Sequence, residues 1–440
     1  MSQRLFFWSL VVGLAGFLFG FDTVVIAGSE ELLQELWGTS DFFHGNVVVG
    51  AALWGTVIGA LFGGLPTDRI GRKQTLLLIG VLYTLSALGS ALATNAWSFA
   101  AFRFVGGLGV GASTIAAPAY ISEIAPAHRR GSLVALYQFN IVFGILIAFV
   151  SNYLLSDIAV DAWRYKVGVE AIPAALYTLL VLLVPKSPRW LLLHRNDEAG
   201  ARVILNRINP SERTEAIIGE VRRERNTTRT RENIFQSKYK FAAFLAFAIA
   251  FFNQFSGINA LLYYADRIFG LAGLEAEAGQ LSSIGLGVTN LVFTIIGMLL
   301  IDRMGRRQLI LLGSVGYILS LGVVAYCFAT GVTGIIIPVA LFAFIAAHAV
   351  GQGAVIWVFI SEIFPNHLRA QGQTLGVGTH WLLATIIPAS IPTLFEVIGP
   401  AAVFGIFCGM MILQLLWAWF LMPETKGVEL EDMGERIGGF

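Results

Sequence analysis

The sequence predicts an all-α integral membrane protein of about twelve spans, arranged as two six-helix halves. Its composition, the recurrence of apolar runs of spanning length and an internal repeat all point there. Of 440 residues, 56% are hydrophobic and only 13% charged, with a mean hydropathy of +0.73. Soluble domains carry about 25% charged residues. Apolar runs of about 18 residues or more can each cross a hydrocarbon core roughly 30 Å thick. They fall near 6–27, 46–66, 75–94, 97–119, 132–155, 165–185, 241–269, 281–301, 308–329, 333–359, 371–397 and 400–422.

The first run follows Arg4, as a signal peptide would. It is longer than a signal-peptide core and further spans follow it, so an uncleaved first helix is expected. The net charge of +1 decides nothing, but charge placement does. With the N-terminus inside, Arg164, Lys166 and Arg267 fall outside and Arg103 lies within a span. Every other Lys and Arg falls inside, as the positive-inside rule requires. The first outer loop, 29–45, carries Glu30, Glu31, Glu35 and Asp41 but no Lys or Arg. Both termini are therefore expected in the cytoplasm. The sequon Asn226-Thr227-Thr228 lies in a predicted cytoplasmic linker, and the outer loops are short. This favours a bacterial plasma membrane. Cys327 and Cys408 lie in different spans without metal-ligand spacing, so neither a disulfide nor a metal site is expected.

The chain repeats itself. "GGLPTDRIGRK" follows the second span and "GMLLIDRMGRRQ" the eighth, with Asp68 and Asp302 offset by 234 residues. "ISEIAPAHRRG" follows the fourth and "ISEIFPNHLRAQG" the tenth, with Glu123 and Glu362 offset by 239. "VPKSPRWL" closes one half and "MPETKGVEL" the other, with Pro185 and Pro423 offset by 238. An even number of spans separates the copies, so the halves share one orientation. That is the parallel repeat of the major facilitator architecture, with a central site at the repeat interface. The expected organisation is an N-terminal half at 1–185, a linker at 186–240, a C-terminal half at 241–422 and a cytoplasmic tail at 423–440. The linker carries weak amphipathic signals. Asn196 reads as a cap before Ala201, Ile204, Leu205 and Ile208, and Ser211 precedes Ile217, Ile218 and Val221. Short bracing helices are expected, with a solvated linker as the alternative.

Side-chain amides within the membrane must find partners. Gln138, Gln254, Asn259 and Asn290 are candidates to line a cavity, as are Trp357, His380 and Trp381. Asn259 and Tyr263 share a face if helical, and Ser256-Gly257 before them invites a break. A sugar suits such a lining, because each hydroxyl both donates and accepts, as amides do. Interhelical bonding is the alternative role for each amide taken alone.

At "DRIGRK", "RFVGGLGVGAS", "PAYISEIAPAHRRG", "PKSPRWLL", "NQFSGINALLYYA", "DRMGRR", "SEIFPNHLR" and "PETKG", the sequence resembles the sugar porters of the major facilitator superfamily over nearly its full length. The resemblance implies that Asp68, Arg69, Arg72, Glu123 and Arg130 form a cytoplasmic salt-bridge network. Asp302, Arg303, Arg306, Glu362 and Arg369 would form a second. Exposed pairs are each worth about 0–1 kcal/mol, which suits a gate that breaks every cycle. Simple topology signalling is the other role of these arginines. Lys186 stands where the family usually has an acid, and Ala370 where it has glycine. The resemblance also assigns Gln138, Gln254, Asn259, Asn290 and Trp357 to sugar contact, with Phe19 and Trp381 as pocket aromatics. Asn253 replaces a usual glutamine, His380 a glutamine or asparagine, and Ala354 a common proline.

One residue is out of place in the first span. Asp22 lies in "GFLFGFDTVVIAG", and intramembrane acids are rare and usually functional. The resemblance places it near Arg103 and implies proton coupling, since passive members commonly have asparagine there. A static buried ion pair is the alternative. The expected function is proton-coupled symport of a monosaccharide, hexose or pentose, by alternating access. A passive facilitator with the same pocket and a non-transporting receptor are the alternatives. No nucleophile–base motif, metal cluster or phosphate loop appears, so an enzyme, a cofactor and a nucleic-acid partner are not expected. The glycine-rich "GGLGVG" lies within a span, where small residues allow close helix packing.

Overall fold

The computed structural model of the protein describes residues 3–126, 129–226, 233–365 and 368–428. Among these every regular element is helical. Twelve stretches among the described residues are long and apolar enough to cross a membrane, from Gln3–Gly28 to Gly399–Phe420. Helices are the form lipid demands, since hydrocarbon offers no partner to an open N–H or C=O. The chain falls into two compact units. One comprises Met1–Thr23, Ala51–Ala148 and Asp157–Arg229, the other Val24–Gly50, Phe149–Ser156 and Thr230–Phe440.

In the first unit, helices Arg72–Ala91 and Ala96–Ile124 form a hairpin. Its turn is closed by a capping box, in which Asn95 Oδ1 accepts from the Ser98 N–H at 3.0 Å and Ser98 Oγ accepts from the Asn95 N–H at 3.4 Å. The fourth span runs to Ile124, beyond its expected end near 119 and through Pro118. Glycines set the helix spacing. A Cβ on Gly107 would strike the Ala52 carbonyl, and one on Gly20 the Ile141 carbonyl. The "GGLGVG" stretch thus serves close packing. The linker forms helices Pro188–Trp190, Glu198–Leu205 and Ser211–Asn226. Asn196 does not cap the second of these. It sits at φ 53°, ending the π-helical turn Leu191–Arg195, while Asp197 accepts from the Gly200 N–H at 2.8 Å. Both residue types suit either role, and here the left-handed turn takes the asparagine. Thr227 and Thr228 of the sequon lie outside the described residues, as does the expected tail beyond 428.

The second unit has a core that includes Leu245, Ile249, Phe359 and Ile360, all buried. Its seventh span, expected over 241–269 with a break at Ser256-Gly257, is broken there and once more at Tyr264. It breaks into Lys240–Phe255, Ile258–Tyr263 and Ala265–Leu271. Gly257 at φ 86° makes the first break, a conformation that favours glycine. The tenth span is likewise broken at Gly351, into Ile336–Val350 and Gln352–Glu362. The stretches Val24–Gly50 and Phe149–Ser156, from spans one, two and five, belong to this unit. There the second span starts at Asp41, earlier than the expected 46, and includes a π-helical turn over His44–Val49.

The two "DRxGR" motifs fold alike. Gly71 has φ 98°, ψ 157° and Gly305 has φ 95°, ψ 166°. Added side chains would meet Trp190 and Glu424 respectively. The third motif of each half therefore packs on the first.

Candidate functional site

In the first unit, Asp22 is 2% exposed and Arg103 1%. One Arg103 amine, Nη1, donates to the Asp22 carboxylate, and the other, Nη2, to the Asp22 main-chain oxygen at 2.9 Å. That carbonyl is within the last turn of helix Gln3–Val25, where helical partners run out. Gly106, one turn after Arg103, packs closely on Ser86: a Cβ there would strike Ser86 Oγ.

A third group completes the cluster, and sequence reasoning missed it. Glu170, on the sixth span and 1% exposed, lies within electrostatic reach of both Asp22 and Arg103. Two carboxyls and one guanidinium are thus gathered and buried in one unit. The rule that singled out Asp22, an acid inside an apolar run, applies equally to Glu170 and would have found it.

Phe19 and Gln138 are half-buried in the same unit, on spans one and five. These spans touch backbone to backbone through Gly16, Gly20 and Gly144.

The second unit holds the other pocket candidates. Gln254 Nε2 donates to Asn253 Oδ1 at 2.8 Å, and Asn259 Nδ2 donates to Gln254 Oε1 at 2.8 Å. Gln254 Nε2 also lies 3.1 Å from His380 Nδ1. His380 stands edge-to-face with Trp357 and with Trp381, each ring centroid 5.1 Å away. Three amides, an imidazole and two indoles thus form one continuous group. The break at Gly257 makes it possible by turning Asn259 back onto Gln254. Tyr263 is buried on the same short helix. Asn290 is 7% exposed on the eighth span, and its Oδ1 accepts from Thr294 at 3.4 Å.

At the motif ends, Arg72 bonds Glu123 at 2.8 Å and Asp68 at 2.9 Å. Ser187 donates to Glu123, and Trp190 Nε1 to the Asp68 carbonyl at 2.7 Å. The second unit holds the counterpart. Arg306 grips Glu362 through Nε at 3.0 Å and Nη2 at 2.7 Å, with Asp302 at 3.4 Å, and Thr425 donates to Glu362 at 2.6 Å. Arg69 and Arg303 are exposed, and Arg369 is half-buried. The Arg130 side chain lies outside the described residues.

The family description "Sugar (and other) transporter" matches residues 8–436. The chain is 33% identical to the glucose transport protein of Synechocystis, covering 96% of this chain and 95% of that one. It is 32% identical to the D-xylose-proton symporter of Escherichia coli, covering 98% and 95%. An inward-open structure of the E. coli xylose transporter XylE superposes with a TM-score of 0.87 at 31% identity, covering 98% of this chain and 99% of that one. Another XylE structure, described as a major facilitator superfamily proton:xylose symporter, gives 0.80. The fold is thus the major facilitator fold of a multi-pass membrane protein, and the chain belongs to the sugar transporter family.

Proposed function

We propose that this protein imports a monosaccharide, hexose or pentose, together with a proton, by alternating access across a plasma membrane, with both termini cytoplasmic. The observation that carries the reading is the Asp22–Arg103–Glu170 cluster, with two carboxyls around one cation at membrane depth. The names of the relatives support the same reading. The neutral amides, imidazole and indoles of the second unit suit sugar hydroxyls and C–H faces, as do Gln138 and Phe19 of the first. A proton moving inward supplies roughly 2.3 kcal/mol per 100 mV of membrane potential, enough for accumulation. The paired Arg72 and Arg306 networks would close the cytoplasmic side.

The test is Asp22→Asn in proteoliposomes, which keeps size and hydrogen bonding but removes the titrating group. Proton-driven accumulation is expected to vanish while counterflow of sugar persists. A static ion pair predicts instead that folding and counterflow fail together. A facilitator predicts no accumulation even in the unaltered protein. Accumulation by the Asp22→Asn variant would remove Asp22 as the coupling site.

A further inference from the structure

A carrier that alternates needs a closure on each face. The outer loop rich in acids supplies an unexpected candidate. Glu30 begins helix Glu30–Trp37 and is only 1% exposed. Its carboxylate takes two bonds from Arg267, Nε to Oε1 at 2.8 Å and Nη2 to Oε2 at 2.7 Å. This is the bidentate match of guanidinium to carboxylate. His44, fully buried, places Nε2 3.2 Å from the same Oε2. Arg267 Nη2 also reaches Gln34 Oε1 at 2.5 Å. All four residues belong to the second compact unit, though Glu30 and Arg267 are far apart in sequence.

Such a buried pair is a poor stabiliser, because desolvating both ions offsets their attraction. Its place suggests another use. Arg267 sits on Ala265–Leu271, the outermost piece of the broken seventh span. The preceding piece, Ile258–Tyr263, carries Asn259 and Tyr263. The breaks at Gly257 and at Tyr264 (φ −119°, ψ 27°) flank that piece. The segment 258–271 therefore holds a pocket amide near one end and the ion pair near the other. A cavity of about 420 Å³, lined by Ala27, Glu31 and Arg267 among others, opens beside the pair.

We infer that Glu30 and Arg267, backed by His44 and Gln34, are positioning residues that lock segment 258–271 against the outer end of the first span. The lock must part before substrate enters from outside. This rests on the transport reading, but its test uses neither sugar nor proton. In a Cys327→Ser, Cys408→Ser background, Ala27→Cys is the reporter, since Ala27 is 3% exposed beside the lock. It is labelled with a membrane-impermeant maleimide on intact cells, and labelling is scored per molecule of folded protein. Glu30→Gln and Arg267→Gln should each raise the labelling rate about tenfold, as expected when a closed population loses its differential bond. The double variant should label no faster than the singles, because both remove one shared interaction. Arg267→Lys, which keeps the charge but loses the fork, should fall between. A merely structural pair would reduce the amount of folded protein and leave labelling per molecule unchanged. That result, or additive effects in the double variant, overturns the lock. If the Gln variants do not accumulate, Arg267→Lys decides alone: a rise of about threefold supports the lock and an unchanged rate rejects it. A failed sugar assay would leave the labelling result standing.

Discussion

The two compact units bury opposite kinds of polar chemistry at membrane depth. One buries ions, namely Asp22, Glu170 and Arg103. The other buries neutral donors and acceptors, namely Asn253 and Gln254 bonded to each other, with Asn259 and His380 against Gln254. Their motif ends, by contrast, are near copies, with Arg72 on Glu123 in one and Arg306 on Glu362 in the other. A duplicated frame can keep its turns and ion pairs while its interior diverges. The turns depend on a few glycines and charges at chain reversals, and the interior depends on side chains that face no turn at all. At membrane depth, buried charge and buried neutral amides thus stand in different copies.

One difference does reach the motif ends. Glu424 accepts from the N–H groups of Arg306 and Arg307 at 2.9 and 3.1 Å, capping helix Arg306–Thr330. Lys186 holds the matching place in the first copy and has no acceptor to offer. Its neighbour Ser187 still reaches Glu123, as Thr425 reaches Glu362. The departure at Lys186 therefore costs the first copy a helix cap and leaves the carboxylate network intact.

The contrast can be broken most forcefully at Arg103. Arg103→Ala strands two carboxyls in a low dielectric, at a cost of about 3–5 kcal/mol. The expected result is loss of monodisperse protein in detergent, and an unchanged melting temperature would mean that the ionic cluster is not what its burial implies. In the neutral unit, Gln254→Ala should leave the fold standing. It frees three partners and should weaken sugar binding by about 1–3 kcal/mol, roughly tenfold or more, measurable by ligand quenching or competition. Equal binding would take Gln254 out of the pocket. A smaller effect is expected from Asn253→Gln, which lengthens the reach of one acceptor already held by Gln254. The ratio of hexose to pentose uptake should change severalfold, by about 1 kcal/mol, with expression intact. Smallest is Lys186→Glu, which would give the first copy the anion of the second. Stabilisation of about 0.3–1 kcal/mol is expected at low salt and should fade as salt rises. Destabilisation would show that the matching positions are not equivalent.

Spans, duplication and the glycine turns were legible in the sequence because each depends on what a residue's surroundings are. Lipid accepts only long apolar helices, inner loops collect Lys and Arg, and a positive φ calls for glycine at positions such as 71 and 305. Asp22 announced itself in the same way, as a charge where none belongs. Partnership was another matter. Glu170 was equally visible as an acid in an apolar run, yet only packing brought it near Asp22 and Arg103. Arg267 and Glu30 read as ordinary outer-loop charges until the fold set them in a bidentate pair 237 residues apart in sequence. The break at Tyr264 has no glycine or proline to announce it. A sequence specifies the environment each side chain prefers, one position at a time. Which side chain meets which at depth is decided only when the helices pack, because hydrogen bonds and ion pairs depend on distances of about 3 Å that no spacing along the chain can set.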